Sequence, residues 1–163
     1  MEFIDRKEEL RRLRNLSSPG KGGFGVVYGR RRIGKTCLLT RWCNENGGIY
    51  LVGDTSSASV QRTCFAEAVS ERFPGFSDVV YPTWQSFLRA LSERARLEHW
   101  HGPVIFDEFP YLVVSENSLP GIFQAWVDRE LRDNGLLVVI SCSSRQMMQG
   151  LVLHHDAPLY GRA

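Results

Sequence analysis

The chemistry most legible in this chain lies in GRRRIGKT, Gly29 to Thr36, which fits the spacing G-x-x-x-x-G-K-[ST]. Gly29 and Gly34 would let the backbone wrap a phosphate with its amides turned inward, and a helix opening near Lys35 would add unpaired N–H groups and a positive dipole end. Lys35 is one of only three lysines beside 17 arginines, an ammonium point charge suited to β- and γ-phosphates. The Thr36 hydroxyl would sit on magnesium. Arg30, Arg31 and Arg32 fall inside the loop, where the backbone does the binding, so their side chains are read as solvated or turned to a partner.

A second constellation is VIFDEF, Val104 to Phe109. An apolar strand that ends in a carboxylate can hold hydrated magnesium opposite the loop threonine, which assigns Asp107 to the metal and leaves Glu108 to orient an attacking water. A third is SCSSR, Ser141 to Arg145. Ser143 is the first choice for a hydroxyl that senses phosphate or water and Ser141 the second, with a simple helix cap as the competing reading.

These residues need a scaffold. Residues 3–16 read as a helix starting near Arg6, with Asp5 as cap, Leu10 and Leu13 inward, and Arg11, Arg12 and Arg14 on a solvated face. FGVVYG is a short apolar strand, and TCLLTRWCNE a helix directly after the loop. Ile49 to Val52 is a second strand. Ser57 caps a helix running to about Phe73, closed by Pro74 and Gly75. Trp84, Phe87, Leu88 and Leu91 form one face of a helix from about Thr83 to Leu97. PVIFDE is the third strand, Leu119 to Leu131 a helix with Ile122, Phe123, Trp126 and Val127 inward, and Leu136 to Ile140 the fourth strand. Continuously apolar strands alternating with helices predict an α/β fold with a parallel sheet covered on both faces.

GKGGFGVVY, Gly20 to Tyr28, also matches G-x-G-x-x-G-x-V, the glycine-rich loop of protein kinases, and contains the dinucleotide fingerprint. The chain has no V-A-I-K, H-R-D or D-F-G, and its glycines precede the strand instead of following it. A glycine-rich lead into the first strand is the better reading.

The chain has 163 residues, 43% hydrophobic and 23% charged, enough for a packed core in about one domain. Its net charge of +2 does not argue for nucleic acid, although residues 1–45 hold 11 Lys+Arg against 5 Asp+Glu. No apolar run is long enough for a membrane span, and the charged start does not read as a secretory signal. Cys37, Cys43, Cys64 and Cys142 lack zinc-ligand spacing and read as free thiols of a cytoplasmic protein. The adjacent His154 and His155 would point in different directions on most backbones, so a metal site there is the lesser reading.

Taken with the opening FIDRKEEL, with IFDEFPYL, with Gln124 and Asp128, with the serine-rich end of the fourth strand before Met147 and Met148, and with the closing APLYGR, VVYGRRRIGKT resembles the archaeal-type P-loop ATPases, relatives of the AAA+ and STAND NTPases. The resemblance implies a three-layer αβα sandwich, ATP with magnesium, and hydrolysis driven by Asp107 and Glu108. It implies that the nucleotide is held by Gly29, Arg30, Arg31, Arg32, Ile33, Gly34, Lys35, Thr36 and Cys37, with Phe3 and Arg6 beside the adenine. Arg162 would lie close to the nucleotide, the alternative being a surface residue. The family often has Gly where this chain has Cys142. Its members continue into another core strand, a lid and usually a winged helix, so the chain is expected to be an ATPase core cut short, with the FGVVYG strand at a sheet edge open to self-association or a partner strand. A nucleotide-binding module that does not turn over is the alternative to a competent ATPase.

Overall fold

A computed structural model describes residues 7–16, 22–30, 32–131 and 134–150. In chain order the elements are α1 (Lys7–Leu16), β1 (Gly23–Tyr28), α2 (Lys35–Glu45), β2 (Ile49–Val52), α3 (Ala58–Ser70), α4 (Trp84–Leu97), β3 (Pro103–Asp107), α5 (Phe109–Ser115), α6 (Leu119–Trp126), β4 (Leu137–Cys142) and α7 (Arg145–Met148). The four strands are parallel in the order β1-β4-β3-β2. Among the described residues β1 has β4 on one flank and no strand on the other.

The αβα layering follows from strand alternation. Val104 and Phe106 of β3, with Val138 and Ile140 of β4, face a core built with α3, α4, α5 and α6; Ile105, Leu137 and Val139 face α1 and α2. The first core is aromatic: Phe106 meets Phe65, Phe123 and Trp126, at centroid distances from 5.0 to 6.4 Å. The Trp84, Phe87, Leu88 and Leu91 face of α4 is buried in it, as the three- and four-residue spacing predicts. Leu10 and Leu13 of α1 lie in the second core, and Arg11, Arg12 and Arg14 are exposed.

Local chemistry fixes the ends. Thr83 and Ser86 form a reciprocal capping box on α4, and the Ser57 side chain accepts from the Val60 N–H at the start of α3. The α3 helix stops at Ser70, short of the expected Phe73, because the chain turns there to send Phe73 inward against Trp100, ring centroids 5.3 Å apart. Trp100 in turn abuts Gly102, where a Cβ would stand 2.5 Å from the indole. The expected helix from Leu119 to Leu131 changes after Trp126 into one π turn, Val127–Leu131. That turn sets the Leu131 carbonyl against Gly22, only 1.6 Å from where a Cβ would be. A close approach of backbones therefore explains a glycine before β1, and Gly23 and Gly25 lie inside the strand.

Two elements depart further from expectation. The strand expected to end at Ile140 continues through Ser141 and Cys142, because β1 extends the ladder with Val27 beside Ser141 and Tyr28 beside Cys142. The apolar FPYLVVS, assigned no element from sequence, is α5, with Pro110 in its first turn where a missing N–H is harmless. No helix among the described residues is long and apolar enough to cross a membrane.

Candidate functional site

The site lies at the carboxyl ends of β1, β3 and β4, where ligands gather in open α/β sheets. The Gly29 N–H donates to the Cys142 carbonyl at 3.3 Å, so the loop leaves at the point where the β1–β4 ladder ends. A Cβ on Gly29 would stand 2.7 Å from Ile33 Cδ1. Arg32 (φ 65°) and Gly34 (φ 79°) adopt left-handed conformations, which curl the backbone into the concave form that presents N–H groups to an anion. Gly34 supplies no side-chain cap to α2, so the helix's first amides have no intrahelical partner.

Lys35 is buried, only 7% exposed, while Thr36 and Cys37 are exposed. From β3, Asp107 comes up on the same face as Ile105, towards α2, and is 2% exposed. Its Oδ1 accepts the Glu108 N–H at 2.8 Å, and Oδ2 faces Thr36 Oγ1 at 3.5 Å. Glu108 follows in a left-handed conformation (φ 50°, ψ 41°) and opens α5. A residue with a Cβ held there marks local backbone strain of the kind that clusters at functional sites.

A cleft of about 400 Å³ is lined by Arg30, Arg32, Gly34, Lys35, Thr36, Cys37, Glu108 and Ser143. Residues from the loop, β3 and the end of β4 thus converge, with three cationic side chains at an anion-shaped mouth. Arg30 and Arg32 are exposed and line the cleft at once. Beyond Glu108 and Ser143 lies a more apolar cavity of about 300 Å³, walled by Pro110, Tyr111, Val114, Cys142 and Met147.

The serines of SCSSR differ in placement. Ser143 lines the cleft. Ser141, the second choice, is 0% exposed within β4, with no hydrogen-bond partner for its Oγ among the described residues. The cap role belongs to Ser144, whose hydroxyl accepts the Met147 N–H at 3.4 Å. Phe3, Arg6, Arg31 and Arg162 lie outside the described residues, as do Asp5, His154 and His155.

Sequence reasoning missed Tyr50. Its hydroxyl donates to Asp107 Oδ2, and burial together with that carboxylate pushes the phenol above its ordinary value. Tyr50 is the one polar side chain in the strand IYLV, which is the signal that could have found it.

The donor set at Thr36 and Asp107 is all oxygen, suited to a hard cation. Among the described residues no three or more His, Cys, Asp or Glu side chains gather to form a protein cage. Magnesium carried by phosphates does not need one, since one or two protein oxygens suffice. The residues present fit that group.

Comparisons with known proteins bear on the family and the fold. An uncharacterized protein of Methanocaldococcus jannaschii is 31% identical over 170 residues, which cover 98% of this chain and 34% of the relative. The chain therefore spans about a third of that relative's length. A Walker-type ATPase of Pyrococcus abyssi superposes with a TM-score of 0.76 at 21% identity, over 99% of this chain and 52% of that one. The ORC2 protein of Aeropyrum pernix, solved as ADPNP–ADP complexes, superposes with a TM-score of 0.59 at 20% identity, over 91% of this chain and 43% of its own. Residues 3–163 match the family described as the ATPase domain predominantly from Archaea, and the chain belongs to that family.

Proposed function

We propose that this chain binds ATP with magnesium and hydrolyses its terminal phosphoanhydride. The observation that carries the reading is the convergence of Lys35, Thr36, Glu108 and Ser143 on one cleft, with Asp107 directly behind Thr36. The loop amides and the Lys35 ammonium bind the β- and γ-phosphates, and Thr36 and Asp107 hold the magnesium. When bound, that ion neutralises phosphate charge. The Glu108 carboxylate orients the attacking water and accepts its proton, while the Ser143 hydroxyl donates to the terminal phosphate. Arg30, Arg32, Ile33 and Cys37 border the nucleotide. Preference for adenine over guanine rests on the family, since the chain carries no N-K-x-D guanine reader. We place the chain in the cytoplasm, as an ATPase core in which, among the described residues, β1 has a strand on one flank only.

Phosphate release and nucleotide affinity, measured with magnesium and with EDTA, test this. Lys35→Ala is expected to lose binding, and Glu108→Gln to keep binding while losing hydrolysis. Hydrolysis by Glu108→Gln at the parent rate overturns the assignment of the base. Tight ATP binding by the parent with no phosphate release supports a module that does not turn over.

A further inference from the structure

Asp107 is clamped from three sides. The Glu108 amide holds Oδ1 at 2.8 Å, while Oδ2 takes the Tyr50 hydroxyl and faces Thr36 at 3.5 Å. The Thr36 and Thr40 hydroxyls lie near the Tyr50 oxygen. Thr36 and Thr40 stand one turn apart on α2, and Tyr50 rises from β2, the neighbour of β3. Two hydroxyls, one from β2 and one from α2, and one backbone amide thus hold a single carboxylate on β3.

A carboxylate bonded through one oxygen alone can swing about its terminal torsion, where the preference is broad. Donors on both oxygens remove that freedom. We propose that Tyr50 is a positioning residue for the magnesium site, its hydroxyl fixing the Asp107 carboxylate in one orientation beside Thr36. The inference rests on the reading of Thr36 and Asp107 as the residues that hold the metal. Partners of this outer kind orient metal-holding groups, and losing one typically weakens metal affinity 10- to 100-fold.

Manganese, a paramagnetic substitute for magnesium, provides the probe: free Mn²⁺ is titrated by EPR against the ADP complex, and ADP affinity is measured separately in EDTA. Tyr50→Phe is expected to raise the Mn²⁺ Kd about tenfold or more and to leave metal-free ADP affinity within about twofold, well inside that loss. Thr40→Val, which removes a hydroxyl near Tyr50 and not the phenol, is expected to raise the Mn²⁺ Kd by a smaller factor.

An Mn²⁺ Kd unchanged in folded Tyr50→Phe overturns the inference, as does an equal loss of Mn²⁺ and metal-free ADP affinity, the mark of a merely structural role. If Tyr50→Phe fails to fold, Thr40→Val decides, and an unchanged Mn²⁺ Kd there overturns it. Asp107→Asn separates the two levels. If it too leaves Mn²⁺ affinity intact, the metal reading falls and Tyr50 with it; if it weakens Mn²⁺ while Tyr50→Phe does not, only the role of Tyr50 falls.

Discussion

Glu108 is expected to trade stability for activity, and its backbone gives the size of the trade. At φ 50° and ψ 41° it occupies the left-handed region, which costs a residue with a Cβ roughly 1–2 kcal/mol. Its neighbours leave no room to relax: the Glu108 carbonyl accepts the Tyr111 N–H at 3.0 Å and stands 2.8 Å from where a Cβ on Gly53 would be. Asparagine populates this region several-fold more readily than ordinary residues, a preference of about 1 kcal/mol. Glu108→Asn should therefore stabilise the chain by about that amount, a rise in Tm of roughly 2–4 °C for a domain of this size. Glu108→Gln is the control, because it removes the same charge beside Asp107 and keeps the strain. Calorimetry without nucleotide compares the two, and phosphate release checks that both are inactive. If Glu108→Asn melts at or below Glu108→Gln, the strain argument is refuted, whatever the activities.

Three further outcomes are expected. Cys37 and Cys64 are exposed and should react with a maleimide in the folded protein, whereas Cys43 and Cys142 are buried and should react only on unfolding; burial pushes the Cys43 thiol from 9.0 up to about 11, so the native state binds that proton more tightly and stability should fall as pH rises through that interval, measurable as a falling urea midpoint. Ser141→Ala removes a buried hydroxyl without a protein partner and should change stability by less than about 0.5 kcal/mol, with ATP turnover retained, while Ser143→Ala should lower turnover about tenfold or more with stability unchanged; the reverse pattern would move the sensor role to Ser141.

The parts legible in the sequence were those with a local signature. The glycine–lysine spacing fixed the loop, the Trp84-to-Leu91 periodicity fixed α4, and an apolar run ending in acid fixed β3. What escaped was decided by neighbours. Ser141 and Cys142 look like a loop, and they are strand because β1 lies beside them and continues the ladder. FPYLVVS is short and apolar throughout, so no period shows that it is helical. The π turn after Trp126 keeps helical spacing for most of its length, and the close contact of Leu131 with Gly22 belongs to the tertiary fold. Tyr50 and Asp107 are 57 residues apart, and only the parallel pairing of β2 with β3 makes them neighbours.

The contact between Trp100 and Gly102 bears on how this chain can vary in length. Phe106 and Asp107 are adjacent and face opposite sides of the sheet, one into the aromatic core and the other into the site. A single residue inserted within β3 would exchange them, burying a carboxylate among rings and setting a phenyl group beside Thr36. Trp100, held by Phe73 and by the lack of a side chain at Gly102, fixes the point from which the strand is counted. Insertions and deletions between Trp100 and Asp107 should therefore be rejected, which a deletion scan of that segment read out by ATP binding would show.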